Sequence, residues 1–159
     1  MSLRALFIEP SICTGCRTCE MACSLSHEGK CSPHLSRTRV IKYEALGMNY
    51  PMVCYHCSKP SCMAVCLEGA IKKDDATGAV VIDETLCKGC RTCITACPYS
   101  QISFNPEKEV AFKCDLCGGD PQCAKFCPSG AITYSDIDEY LMARRRALVD
   151  RSMAAIQVG

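Results

Sequence analysis

The sequence predicts a small α+β fold, built twice over from one cysteine-rich unit with short β-hairpins and short helices, and ending in one long C-terminal helix. Three observations predict it. The chain has 159 residues, of which 17 are cysteine, roughly a tenth and above the level that marks a cysteine-organised protein. Sixteen of the cysteines fall into four groups of four, and the groups repeat along the chain. Between them lie short apolar stretches broken by turn residues. With no Trp, four Phe and six Tyr, the chain has few large side chains for a core. Something other than hydrophobic burial must staple a scaffold of this size, and metal centres are the natural staple.

Taken in chain order, Arg39-Val-Ile-Lys-Tyr43 alternates as a half-buried strand does. Ala70 to Lys73 and Ala79 to Asp83 flank the turn-rich tract Asp74-Asp-Ala-Thr-Gly78, which predicts a hairpin. Ile102 to Phe104 and Val110 to Lys113 flank Asn105-Pro-Glu-Lys-Glu109 and predict a second. Ala131 to Tyr134 reads as a last strand. A helix then runs over about 136–156, capped by Ser135 or Asp136, with acids in its first turn and Arg144, Arg145, Arg146 and Arg151 further along, an order that suits the helix dipole. Ile137, Tyr140, Leu141, Leu148 and Ile156 form an apolar stripe on it that must pack on something. The expected division is a cysteine-bearing domain over 1–134 and a helix with tail over 135–159.

Group one is Cys13, Cys16, Cys19 and Cys23, and group three is Cys87, Cys90, Cys93 and Cys97. Both have the spacing C-x2-C-x2-C-x3-C, the bacterial ferredoxin run for a 4Fe-4S cluster. Three thiolates two residues apart can wrap one corner of a cubane, while the fourth starts a helical turn and points toward a second cluster. Group two (Cys54, Cys57, Cys62, Cys66) and group four (Cys114, Cys117, Cys123, Cys127) are looser, each with a Pro two positions before its third cysteine, Pro60 and Pro121. Residues 13–23 match residues 87–97 at eight of eleven positions, and Cys66-Leu-Glu-Gly-Ala-Ile71 echoes Cys127-Pro-Ser-Gly-Ala-Ile132. The chain is a tandem duplication of a two-group unit.

Lys+Arg 18 against Asp+Glu 17 leaves a formal charge of +1, which does not indicate a nucleic-acid surface. No apolar run approaches the ~18–20 residues of a membrane helix. The first residues lack an apolar signal core and a twin arginine, so the expected compartment is the cytoplasm. There, structural disulfides are disfavoured, and an odd cysteine count fits them poorly. Paired C-x2-C units also build zinc ribbons, so a structural zinc scaffold is an alternative. A ribbon does not need a third cysteine in every group. Cys31, outside all groups, reads as a plain thiol. Gly15 and Gly89, between the first two ligands of their groups, suit close approach of backbone N–H groups to sulfur or simple loop flexibility. His56, between two ligands of group two, is either a packed loop residue or a hydrogen-bond donor tuning that cluster. Arg17 and Arg91 read as solvated charges, and His27 and His34 give no signal.

The four groups, Cys54-Tyr-His-Cys57 with Pro60, and Lys113-Cys-Asp-Leu-Cys117 resemble the four-cluster ferredoxin-like electron-transfer subunits of molybdenum and tungsten enzymes, hydrogenases and carbon monoxide dehydrogenase. The resemblance covers about residues 5–134, and every ligand position is occupied. It implies bacterial-ferredoxin-like modules that are duplicated and interleaved, because in that family the groups exchange their fourth ligands. Carried over, Cys13, Cys16 and Cys19 share a cluster with Cys127, and Cys114, Cys117 and Cys123 one with Cys23. Likewise Cys54, Cys57 and Cys62 go with Cys97, and Cys87, Cys90 and Cys93 with Cys66. Ser24 and Leu67 depart from the family by standing where a Pro often follows the fourth cysteine.

The function the resemblance implies is a relay of single electrons through four 4Fe-4S clusters, between a catalytic subunit and a second redox partner. A tungsten or molybdenum oxidoreductase, of the aldehyde or formate type, is the expected catalytic partner. A free polyferredoxin is the alternative carrier, and self-association through the C-terminal helix is a further outcome. No phosphate loop, H-E-x-x-H or Ser/His/Asp set points to a catalytic site of the chain's own.

Overall fold

The computed structural model describes residues 4–157, with side chains through residue 154. Strand β1 (Arg4–Ile8) opens it and pairs antiparallel with the last strand, β8 (Ile132–Asp136), from Arg4 opposite Asp136 to Ile8 opposite Ile132. Helix α1 (Thr18–Glu28) carries the end of group one. Strands β2 (Arg39–Tyr43) and β3 (Met48–Met52) form a hairpin. Pro51 is tolerated in β3 because it faces Val40, whose N–H is donated to Glu20 Oε1 at 2.6 Å. Then follow α2 (Ser61–Ala64), the hairpin β4 (Ile71–Lys73) and β5 (Val80–Ile82), α3 (Thr92–Ala96), the hairpin β6 (Ser103–Asn105) and β7 (Val110–Phe112), α4 (Gln122–Lys125), and the long helix α5 (Ile137–Gln157).

Both expected hairpins and the strand at 39–43 are present within a residue or two. The N-terminal strand and β3 escape a reading of the sequence because β1 finds its partner some 130 positions away and β3 carries a Pro. Helix α1 is longer than the turn expected after group one. Ser24 allows the difference: helices α3 and α4 stop just before Cys97-Pro98 and Cys127-Pro128, where the ring would remove a donor, whereas Ser24 leaves α1 free to continue to Glu28, although α2 stops at Ala64 with Leu67 in the same place. The Ser24 side chain is fully buried, donates to Met21 O, and accepts from Ser32 N at 2.9 Å.

The apolar core is divided. One cluster joins Ile71, Val80, Ile102 and Ala111 to Cys62 and Cys93, all in the stretch from group two to the residues just before group four. Another joins Val40 and Ile132 to Cys19 and Cys123, drawn from the two ends of the chain, with Leu6, Ile8, Cys13 and Cys127 against it. A third, of Ala79, Cys114 and Leu116, touches Cys54 and lies between them. Accordingly α2 packs on α3, and α1 on α4. Every core contains cysteine.

Asp136 Oδ1 accepts from the N–H groups of Asp138 and Glu139, capping α5 as expected. The first turn is held by Tyr140, stacked on Phe7 with ring centroids 3.6 Å apart. Beyond it Leu141 and Leu148 are exposed, and the side chain of Ile156 lies outside the described residues. The helix leaves the body rather than folding back on it.

Two hairpins buttress the cysteine loops. Gly15 and Gly89 have positive φ (68° and 67°), and a Cβ would lie 2.4 Å from Asn49 Oδ1 at the first and 2.3 Å from the Glu109 carbonyl oxygen at the second. Steric contact with β3 and with the β6–β7 turn, not loop flexibility, calls for glycine there. Gly89→Ala should therefore destabilise the loaded protein by more than the ~1–2 kcal/mol that a left-handed L-residue costs alone. Gly47→Ala, at φ 60° with nothing within 4 Å, should cost only that amount, and thermal unfolding of both variants measures the difference.

Candidate metal centres

In each group the residue just before the second cysteine has positive φ: Gly15, His56 (45°), Gly89 and Leu116 (57°). Two of the four are not glycine, and strain of ~1–3 kcal/mol at each is the kind retained at functional loops. The third cysteine of every group, Cys19, Cys62, Cys93 or Cys123, is the second residue of its helix, α1 to α4, and all four are buried. A tight loop followed by a helix start thus presents three sulfurs from each group.

A cavity of about 220 Å³ is lined by Cys54, Cys57 and Cys62 of group two and by Cys97 of group three. A second, of about 250 Å³, is lined by Cys87, Cys90 and Cys93 of group three and by Cys66 of group two. At the other end Cys13 and Cys127 both pack against the core cluster of Cys19 and Cys123, and Cys19 feels the charges of Cys127 and Cys16. Cys123 has Cys114, Cys23, Cys117 and Cys19 as its charged neighbours. Cys31 is exposed and joins none of these sets.

The thiols themselves call for a metal. Burial pushes Cys19 and Cys114 up to about 12 and Cys93 up to about 11, and it raises Cys62 and Cys123 as well. Iron takes the thiolate, so loading these sites replaces buried protons with a cation. Soft sulfur donors converging four at a time fit iron-sulfur chemistry. The second cysteines of groups one and three differ. Thr18 and Thr92 hydroxyls donate to Cys16 Sγ and Cys90 Sγ at 3.3 and 3.5 Å, which lowers both thiols.

Backbone N–H groups reach the fourth ligands too, Arg37 N to Cys23 Sγ at 3.2 Å and Gln101 N to Cys97 Sγ at 3.4 Å. His27, one helical turn beyond Cys23 on the extension that Ser24 permits, donates from Nδ1 to Cys23 O at 2.8 Å and from Nε2 to Asp115 at 3.0 Å. Both ring nitrogens face acceptors, so the imidazole is held protonated, Asp115 being the largest cause. Burial opposes ionisation of Asp115, but His27 and the Arg37 guanidinium at 2.7 Å outweigh it and hold the carboxyl well below the usual range. The one signal for this network in the sequence is the i, i+4 spacing of Cys23 and His27, legible only once the helix is known to continue.

His56 is half-buried in accessibility but enclosed at its ring. Nδ1 accepts from Val80 N at 2.9 Å, which leaves the proton on Nε2, and Nε2 is buried without a partner. Burial first, then the Lys113 charge, pushes this imidazole down to about 4. Lys113 is 4% exposed and donates to the carbonyl oxygens of Val80 and of Cys114. Both side chains line the cavity of Cys54, Cys57, Cys62 and Cys97. Arg17 is exposed as expected, whereas the Arg91 guanidinium lies 3.8 Å over the Phe104 ring.

Residues 46–137 match the 4Fe-4S dicluster domain family. The chain thus belongs to that family. A relative in Pyrococcus furiosus, the polyferredoxin-like subunit of an aliphatic sulfonate oxidoreductase, is 41% identical over 122 residues, 77% of this chain and 70% of that protein. A subunit of the anaerobic dimethyl sulfoxide reductase of Escherichia coli is 38% identical over 153 residues, 84% of this chain and 73% of that one. The fold is also similar to a chain of the active site complex BamBC of benzoyl coenzyme A reductase, with a TM-score of 0.51 and 23% identity, covering 99% of this chain and 98% of that one. As a 4Fe-4S dicluster protein the chain carries 4Fe-4S centres and transfers electrons, which sets the zinc-scaffold reading aside. No helix among the described residues is long and apolar enough to cross a membrane.

Asp115→Ala should cost ~3–5 kcal/mol, because it strands His27 and Arg37, each about a tenth exposed, without their shared carboxylate. Denaturant unfolding of the loaded protein measures it, and a change under ~1 kcal/mol would show the network to be incidental.

Proposed function

We propose that this chain is the electron-relay subunit of a molybdenum or tungsten oxidoreductase complex, holds four 4Fe-4S clusters on sixteen cysteines, and has no catalytic site of its own. The observation that carries the reading is the pair of cavities in which three cysteines of one group meet the fourth cysteine of another. It supports ligand sets of Cys54, Cys57, Cys62 with Cys97, and Cys87, Cys90, Cys93 with Cys66. By the same pattern Cys13, Cys16 and Cys19 share a cluster with Cys127, and Cys114, Cys117 and Cys123 one with Cys23.

The bound clusters supply one-electron storage and exchange. The chain's own residues set their order. Cys93 lies with Cys62 in one core cluster, Cys54 touches the core of Cys114, and Cys123 lies with Cys19 in another. Neighbouring ligand sets therefore touch in sequence, from Cys87, Cys90, Cys93 at one end to Cys13, Cys16, Cys19 at the other. On this reading the body over 1–134 is two interleaved ferredoxin-like modules, the inner inserted in the outer. Electrons enter and leave near the outer ligands Cys16 and Cys90, which are exposed. The exposed helix α5, with its arginines, is the element for docking on the catalytic subunit, a contact that high salt should weaken. Reduced carriers and a cytoplasmic setting go with the reading.

Paired substitutions test the ligand sets. Cys127→Ser and Cys16→Ser should alter the same electron paramagnetic resonance signal, although more than a hundred positions separate them, and Cys123→Ser a different one. If Cys127→Ser and Cys123→Ser alter one and the same centre, the exchanged pairing is wrong. Removing residues 142–159 leaves the Tyr140–Phe7 stack intact and should leave iron content unchanged while abolishing co-purification of the catalytic subunit. Unchanged assembly would exclude α5 as the docking element.

A further inference from the structure

We propose that Lys113 and His56 make the centre held by Cys54, Cys57, Cys62 and Cys97 the first of the four to accept an electron. This rests on the ligand sets proposed above and adds to them an order of reduction. The step is a one-electron exchange: an external reductant gives up one electron and is oxidised, the electron passes through an outer centre that returns to its oxidised state, and at equilibrium it rests first on this centre; no bond is made or broken.

Lys113 carries the argument. Its ammonium is buried, and its hydrogen bonds go to two neutral carbonyl oxygens, of Val80 and Cys114. No carboxylate among the described residues pairs with it. A buried charge without a counterion is costly, so such charges are paired or face a compensating one. The cavity that Lys113 lines is also lined by Cys54, Cys57, Cys62 and Cys97, whose thiolates supply a compensating charge once a cluster is bound. A 4Fe-4S centre on four thiolates is anionic and gains one more negative charge on reduction, and nearby cationic charge and hydrogen bonds raise its potential.

His56 adds a neutral donor. Val80 N fixes its tautomer, so Nε2 carries the proton; it is buried without a partner, on a side chain that lines the cavity. The duplication supplies an internal control, because the position of His56 in group two is held by Leu116 in group four, and that of Lys113 by Val53. Val53 and Leu116 are buried and apolar. Lys113 also donates to the Cys114 carbonyl and so reaches the Cys114, Cys117, Cys123 and Cys23 set from its edge, whereas the other cations near that set, His27 and Arg37, are balanced by Asp115 and Glu84. The charged groups around the outer sets, Arg17, Lys88 and Arg91, are exposed and screened. Among these cations only Lys113 is both buried and uncompensated.

Potentiometric titration of the anaerobically prepared full chain, followed by electron paramagnetic resonance, tests the order. Cys57→Ser and Cys97→Ser should alter one common signal, and in the unsubstituted protein that signal should appear first on reduction. Lys113→Gln keeps a donor for the carbonyls but removes the charge. It should lower the equilibrium constant for reducing that centre about tenfold, about 59 mV for one electron, and shift the other three by less. His56→Leu, which copies Leu116, should lower the same midpoint by a smaller amount with iron content unchanged. If Lys113→Gln fails to hold its iron, His56→Leu decides alone. A common signal that is reduced after another, or midpoints that stay put in both variants or move equally in all four centres, would overturn the proposal and leave the ligand sets standing. If Cys57→Ser and Cys97→Ser alter different signals, the ligand set fails and the proposal with it.

Discussion

The constraint on which the rest of this structure depends is that sulfurs from distant parts of the chain must converge four at a time. Each group offers three cysteines from a tight loop and a helix start, and these loops hold left-handed backbone at Gly15, His56, Gly89 and Leu116. In two cavities a cysteine of another group joins them, Cys97 beside group two and Cys66 beside group three. That requirement draws α1 onto α4 and α2 onto α3, and it places a cysteine in every apolar core cluster. Four separate two-stranded ribbons could not hold such an arrangement by themselves. They serve as buttresses, Asn49 against Gly15 and the Glu109 carbonyl against Gly89.

Much of this was legible in the sequence because cysteine spacing is a strong local signal. The ferredoxin runs at Cys13 and Cys87, the duplication, the two central hairpins and the capped C-terminal helix all follow from contiguous residues. The illegible parts depend on contacts far apart in sequence. Strand β1 needs β8 to exist at all. The length of α1 is allowed by Ser24 in place of the expected Pro and held by the bonds of that side chain to Met21 and Ser32, and the His27, Asp115 and Arg37 network follows from that length. Lys113 could not be distinguished from a surface lysine without knowing that its neighbours Val80 and Cys114 close over it.

The distribution of charge is also uneven in a way that the near-neutral composition hides. Beside the exposed arginines and lysine of the outer loops, the enclosed cations near the centres are of two kinds: His27 and Arg37, locked to carboxylates, and Lys113, locked to carbonyls. Electrostatics in a low-dielectric interior distinguishes these sharply, since a paired cation offers little net field and a lone one offers much. The two halves of the duplication keep the same ligands yet surround them differently, with Tyr55 and His56 in one loop where Asp115 and Leu116 stand in the other. Ligand geometry sets where electrons can reside. On the proposed order of reduction, the surrounding charges set which centre fills first.

If the centres replace an ordinary core, the fold should not outlast them. Burial holds Cys19, Cys93 and Cys114 as neutral thiols when no metal is present, and the apolar residues around them are few. The most direct measurement is anaerobic native mass spectrometry of the full chain, paired with far-ultraviolet circular dichroism before and after iron is removed. The account predicts a folded chain carrying four 4Fe-4S units, about sixteen irons at four per centre, and loss of ordered structure once they are stripped. A folded chain that carries zinc or fewer units, or an iron-free chain that keeps a cooperative thermal transition, would contradict it.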